Sequence, residues 1–126
     1  MSTNRTTIEA YFSAINEERW DDFRALLTDD AKYQTVGGRP RQGADEVVEY
    51  FKGLFKAWSA HYDDPQVIIV DGDHAAAEVR FRGTSVAGLP IEFDAVDTFE
   101  LRDGKLARWA TWYDLPGVRA ALQGTP

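Results

Sequence analysis

Residues 91–114 read IEFDAVDTFELRDGKLARWATWYD. Ile91, Phe93, Ala95, Phe99 and Leu101 recur at every second or fourth position, with mostly polar residues between them. That is the pattern of a strand with one buried face. Asp103-Gly104 then gives a strong hairpin signal. Residues 105–113 return as a second strand: Ala107, Trp109, Thr111 and Tyr113 share one face, and Arg108, Ala110 and Trp112 share the other. Asp114 is placed to cap a short final helix with Leu115 and Pro116 near its start. One residue breaks the stripe. Asp97 falls on the apolar face, between Ala95 and Phe99.

Working back from the hairpin, the same period continues. Residues 75–85 place Ala77, Val79 and Phe81 opposite Glu78, Arg80 and Arg82. AGLP at 87–90 and Asp71-Gly72-Asp73 read as turns. QVIIV at 66–70 reads as a buried strand, and Asp63 and Asp64 as part of a solvated turn before it.

The first half has a helical period instead. Thr6 and Glu9 form a capping-box pattern, followed by Ile8, Tyr11, Phe12 and Ile15 at helical spacing. Residues 20–27 suit a second helix, closed by Asp29 and Asp30. A short strand fits 31–36, with Tyr33 and Thr35 on one face. GGRPRQG at 37–43 is a loop, and residues 44–58 form a third helix with Val47, Val48, Phe51, Leu54, Phe55 and Trp58 on its apolar side. Helices first and a strand meander after is an α+β arrangement. The expectation is one domain over residues 1–126, with three N-terminal helices packed on a curved antiparallel sheet that encloses a pocket at its open end.

Composition excludes several function classes. The chain has 126 residues, 44% hydrophobic and 28% charged, which is ordinary for a globular domain. No cysteine is present, so disulfides, thiolate nucleophiles and cysteine metal sites are ruled out. The net charge of −7 and the small basic cluster at Arg39 and Arg41 argue against nucleic acid. No apolar run approaches the ~20 residues that span a bilayer. MSTNRTTIEA lacks the basic-then-apolar order of a secretory signal, and the expected location is the cytoplasm. His61 and His74 have no metal-ligand spacing, the glycines at 37, 38 and 43 form no phosphate loop, and no serine sits in a nucleophile elbow. No metal and no cofactor are expected.

The chemistry rests on few side chains. A carboxylate in an apolar site either becomes protonated or finds a donor. Asp97 therefore has two readings: it pairs with a neighbouring Arg or Tyr and holds the sheet, or it faces a pocket and donates to a developing oxyanion. Tyr11 has two readings as well, core packing or a second donor across the same cavity. Trp109 and Tyr113 would either line a pocket for a flat apolar ligand or fill the core.

The span from Ile8 to Leu122 resembles the NTF2-like superfamily, which includes ketosteroid isomerases, limonene epoxide hydrolases and SnoaL-type polyketide cyclases. The resemblance is carried by EAYFSAIN, WDDFRALLTDDAKY, a glycine before the third helix, and FELRDGKLARWATWYDLPG. It implies a cone-shaped fold with a pocket between helices and curved sheet, and a homodimer. It also implies roles. Tyr11 in EAYFSAIN and Asp97 in AVDTF stand where ketosteroid isomerases carry their two oxyanion donors. Thr35 in DDAKYQTVGG stands at or near their general base, and a threonine is no carboxylate base. WATWYDL is similar to the tail of limonene epoxide hydrolases, but Thr111 replaces their aspartate, and no Arg-x-Asp pair occurs around Val79 to Phe81.

The expected function is an isomerase, cyclase or dehydratase acting on an apolar carbonyl compound, polyketide- or steroid-like, through oxyanion stabilisation. Tyr11 and Asp97 are the expected catalytic residues. Tyr33, Thr35, Val79, Phe81, Phe93, Ala95, Trp109, Thr111 and Tyr113 are the expected pocket lining. The base is left among water, a substrate group, Asp97 itself and His61. The alternatives are a carrier of hydrophobic ligands with the same cavity and no turnover, or a partner protein that dimerises through Val96, Thr98 and Trp112.

Overall fold

The computed structural model describes residues 3–124. The chain runs α1 (Thr3–Asn16), α2 (Trp20–Ala25), β1 (Leu27–Thr35), β2 (Arg41–Gln42), α3 (Ala44–Phe55), β3 (Trp58–Asp71), β4 (His74–Ser85), β5 (Pro90–Arg102), β6 (Lys105–Tyr113) and α4 (Leu115–Leu122). The class is α+β, with one six-stranded, curved and unclosed sheet in the order β2-β1-β6-β5-β4-β3.

Strands β3 to β6 form the expected antiparallel meander. Ala77 pairs with Asp97, Val79 with Ala95 and Phe81 with Phe93 across β4 and β5; Asp97 then pairs with Thr111 of β6. Because alternate residues share a face, this register puts all of these side chains on the inner face and Glu78, Arg80, Glu92 and Asp94 outside. Arg80 ties the outer face with bonds of 2.9 Å to Glu92 and 3.0 Å to Asp94. Asp114 caps α4 as expected, its Oδ1 accepting from Gly117 N at 3.1 Å.

The N-terminal boundaries differ from the sequence reading. Helix α1 already begins at Thr3, so Thr6 lies inside it and is no cap. Helix α2 stops at Ala25, because Leu27 enters β1 and is buried there. Asp29 and Asp30 therefore belong to a strand. Asp30 is held by Arg102 at 2.6 Å and Thr28 at 2.8 Å. Helix α3 ends at Phe55, and β2 forms within the expected loop. The sheet is mixed: β1 runs parallel to β6, pairing Tyr33 with Trp109 and Thr35 with Thr111.

The largest correction is β3. The sequence predicts a turn and then a short buried strand; the structure has a 14-residue strand with Val67 and Ile69 exposed. It lies at the sheet edge, so only one of its sides is paired within the sheet. Pairing with β4 runs through the Asp-Asp-Pro segment, Asp63 opposite Phe81 and Asp64 opposite Arg80. The register shifts between Pro65 and Val67, where a residue without an N–H is tolerated. Long-range pairing has overridden a local turn composition.

The helices bury their apolar sides on the inner face. Tyr11 touches the rings of Phe12, Phe23, Phe51, Phe99 and Trp109, with centroids 4.9–6.3 Å apart. This aromatic cluster, together with Ile8, Leu27, Val47 and Leu106, is the floor on which the site rests.

Candidate functional site

Between the helices and the inner sheet face is a cavity of about 170 Å³. Tyr11, Tyr33, Thr35, Asp97 and Thr111 supply polar walls; Val79, Phe81, Phe93, Ala95 and Tyr113 supply apolar and aromatic ones. Trp109 was expected among them, but it does not line the cavity. It is buried one layer below, 2% exposed, and donates from Nε1 to Tyr11 Oη at 3.3 Å. Exposed Ala57 and Leu122 also border the cavity, which places its opening between the end of α3 and α4. A larger groove of about 790 Å³ runs over the outer sheet face between Lys32, Arg108 and Trp112. Its one acid, Glu100, is only half-buried.

Asp97 is 4% exposed and sits mid-strand on β5. Thr111 Oγ1 donates to its Oδ1 at 2.6 Å. Tyr33 Oη lies 2.6 Å from the same Thr111 oxygen. A threonine hydroxyl has one proton, and here it goes to Asp97, so Tyr33 donates to Thr111. A chain Tyr33→Thr111→Asp97 results. Burial pushes the Asp97 carboxyl up to about 7; the Thr111 bond opposes the rise, and the negative charge of Asp63 adds to it. The bond holds Asp97 in place without restoring its ordinary acidity.

Tyr11 is equally buried. Burial first, and then the charge of Asp97, raises its pKa well above the usual value, and the Trp109 bond only partly offsets this. It stays a phenol. Trp109 occupies an acceptor position on Oη, and among the described residues none accepts the Tyr11 proton. That proton is available to a ligand. Burial and Asp97 raise Tyr33 in the same way, the bond to Thr111 opposing. Thr35 is engaged by Tyr50, 3.0 Å between hydroxyls, and the Arg41 guanidinium sits 4.5 Å above the Tyr50 ring.

One acid of the cavity escapes the sequence reading. Asp63 lines it from β3, instead of lying in a turn. Its backbone is gripped twice by Asn16, which accepts from Asp63 N at 2.8 Å and donates to Asp63 O at 2.8 Å. Asn16 thereby supplies, on the unpaired side of β3, the two bonds that a neighbouring strand would have supplied. Burial pushes the Asp63 carboxyl up to about 6, against the lowering effect of His61. The one signal in the sequence is the odd-numbered alternation His61, Asp63, Pro65, which a strand requires.

His61, one of the expected base alternatives, does not line the cavity. Its ring stacks on Phe55 at 4.1 Å, and Nε2 lies 2.9 Å from Glu18. Its Nδ1 is buried without a partner among the described residues. His74 is at the far hairpin and does not border the cavity. Among the described residues no three His, Asp or Glu side chains come together to hold a metal ion, and no helix is long and apolar enough to cross a membrane.

Residues 8–109 match the SnoaL-like domain family. No curated protein matches the chain by sequence. Many solved structures share its fold. A protein from Jannaschia named for SnoaL-like polyketide cyclases is 18% identical, with a TM-score of 0.90 over 98% of this chain and 94% of that one. An epoxide hydrolase from M. tuberculosis, of the limonene epoxide hydrolase-like kind, is 21% identical, with a TM-score of 0.82 over 97% and 90%. A protein of ketosteroid isomerase-like fold from Catenulispora acidiphila, bound to trimethylamine, is 16% identical, with a TM-score of 0.86 over 95% and 93%. At these identities the likeness is one of fold, and the NTF2-like cone is the fold they share with this chain.

Proposed function

The chain belongs to the SnoaL-like domain family, and we propose that it is an isomerase, cyclase or dehydratase acting on a small apolar carbonyl compound. The observation that carries this reading is a pair of buried donors on one cavity. Tyr11 has an unclaimed hydroxyl proton, and Asp97 carries a proton below pH about 7. Two O–H groups aimed at one carbonyl oxygen stabilise the negative charge that develops when an adjacent C–H bond breaks. Burial of both side chains strengthens the effect, because charge interactions are screened less there than in bulk solvent.

Size narrows the substrate. A cavity of about 170 Å³ takes one six-membered ring, since an apolar cavity of about 150 Å³ holds benzene. A fused four-ring steroid does not fit inside it. A polyketide chain fits with one ring or bend buried and the rest toward the opening beside α4.

Titration with an acidic nitrophenol, already ionised at pH 6 so that its phenolate mimics an enolate throughout, tests the proposal. Wild type is expected to bind it at pH 6, and Tyr11→Phe to bind roughly tenfold or more weakly, the loss typical of a hydrogen bond to a charged group. Affinity is expected to fall as pH rises through about 7, when Asp97 loses its proton. Equal affinity in wild type and Tyr11→Phe, with no pH dependence, overturns the reading. Binding without turnover of any ring enone supports a ligand carrier instead.

A further inference from the structure

We propose that Asp63 is the general base of this site, the group that takes a proton from the carbon next to the substrate carbonyl; the inference rests on the carbonyl-binding role proposed for Tyr11 and Asp97. Three observations carry it.

The first is position. Asp63 reaches the cavity from β3, Asp97 from β5 and Tyr11 from α1, so the acid faces the same small volume as both donors but from a different wall. A ring of the size that fits has its carbonyl and its α-carbon about one bond apart, so a base on an adjoining wall is what proton abstraction needs.

The second is availability. Asp97 is claimed by Thr111, and Thr111 by Tyr33. No side chain or backbone group among the described residues donates to the Asp63 carboxyl. Its lone pairs are free for a substrate proton. A carboxylate held by protein donors would be a weaker base and would lack the reach.

The third is support. A free side chain is useful only on a backbone that does not wander. The paired bonds from Asn16 and the register with Phe81 of β4 hold Asp63 from both sides of the strand. Apolar packing of α1 on the sheet would not by itself require its last residue to clamp that one peptide of an edge strand.

The charge states agree with this assignment. Asp63, raised to about 6, loses its proton before Asp97, raised to about 7. The groups that face Asp63 are His61, which favours its charged form, and Asp97, Tyr11 and Tyr33, whose own pKa values are pushed up. The charge of an ionised Asp63 itself pushes Asp97 upward, so ionising the first holds the proton on the second, and the two carboxyls take different roles. Asp63 takes the α-proton. The C–H pair becomes the C=C of the enolate, and the C=O π pair moves to oxygen, where Tyr11 and Asp97 donate to it. Asp63 then returns the same proton to another carbon, which isomerises the double bond. No co-reactant is consumed.

The experiment uses cyclohex-3-enone as a one-ring probe. Its conversion to the conjugated isomer is followed by absorbance, its α-hydrogen exchange in D₂O by NMR, and phenolate binding is measured on the same proteins. Asp63→Asn is expected to lower both rates by about 10²–10⁴-fold, the usual worth of a general base. Its phenolate affinity is expected to hold or rise, because a negative charge has left the cavity. Asp63→Glu, which keeps the carboxylate, is expected to recover part of the rate, and phenolate binding by each variant certifies its fold. Unchanged exchange in Asp63→Asn overturns the assignment of Asp63 and leaves the donors standing. Phenolate binding by wild type with no exchange overturns it too. No phenolate binding by wild type overturns the donor reading on which it rests.

Discussion

Strands β5 and β3 each bring one carboxyl to the same cavity, and they do so in opposite ways. Asp97 lies mid-sheet, with β4 on one side and β6 on the other, and its acid is tied to Thr111 and through it to Tyr33. Asp63 lies on the edge strand, next to an irregularity at Pro65, with its backbone clamped and its acid untied. Both are forced upward by burial, Asp97 further than Asp63. Burial alone therefore does not assign a role. A carboxyl whose neighbours hold it is suited to donate or to stay still, and one whose backbone is held while its oxygens are free is suited to take a proton.

The two acids should part most visibly in catalysis. On the ring enone, Asp63→Asn should cost about 10²–10⁴-fold in kcat/KM, but Asp97→Asn only about tenfold, because an amide still donates to the oxyanion. Equal losses in the two variants would erase the distinction between the strands.

Stability against pH comes next. A carboxyl whose folded pKa is raised binds its proton more tightly in the native state than in the unfolded one. Its contribution is therefore complete below the unfolded value near 4 and is lost as pH rises through the folded value. For Asp63 the loss runs to about 6 and for Asp97 to about 7. Denaturant unfolding should show stability falling between pH 4 and 7, by on the order of 3–4 kcal/mol for each acid, since a tenfold difference in proton affinity is worth about 1.4 kcal/mol. Asp97→Asn should remove the larger share of that slope. A flat profile in wild type would contradict the upward shift of both acids.

Thr111→Val tests the tied acid from the other side. It leaves Tyr33 and Asp97 without their shared hydroxyl, at a cost of about 2 kcal/mol in urea unfolding. It also removes the one bond that lowers the Asp97 pKa, so the fall in phenolate affinity should move above pH 7. An unmoved titration would show that Thr111 does not set the state of Asp97.

Asn16→Ala should have the smallest effect, about 1 kcal/mol of stability. If the clamp positions Asp63, kcat on the ring enone should fall several-fold with KM nearly unchanged. A change in KM alone would point to a general loosening of the cavity.

The inner stripe of β5 and β6 is legible in the sequence because residue-by-residue alternation survives wherever a strand is covered on one face only. Asp97 stands out there as a polar group on an apolar face, as Tyr11 does on the apolar side of α1, and the structure puts both on the cavity. Alternation places Trp109 on the correct face but in the wrong layer: it tells which side a ring points to, not how deep its neighbours leave it. Thr111 reads in the sequence as the place of a missing acid, and its work as the link between Tyr33 and Asp97 depends on two strands that meet only in the fold. His61 has the chemistry of a base, but stacking on Phe55 takes it behind the wall.

Local pattern was enough for the class of this protein, the order of its helices and long strands, the hairpin at Asp103-Gly104, and the cavity faces of Tyr11, Tyr33, Thr35, Asp97 and Thr111. All of these follow from periodicity and turn chemistry, which act over a few residues. Three features waited for the assembled fold: β1 runs parallel to β6, HYDDPQ is strand instead of turn, and Asp63 shares a cavity with Asp97. Those outcomes come from pairings such as Asn16 with Asp63, 47 residues apart in the chain, and no local pattern encodes which distant backbone will complete an edge.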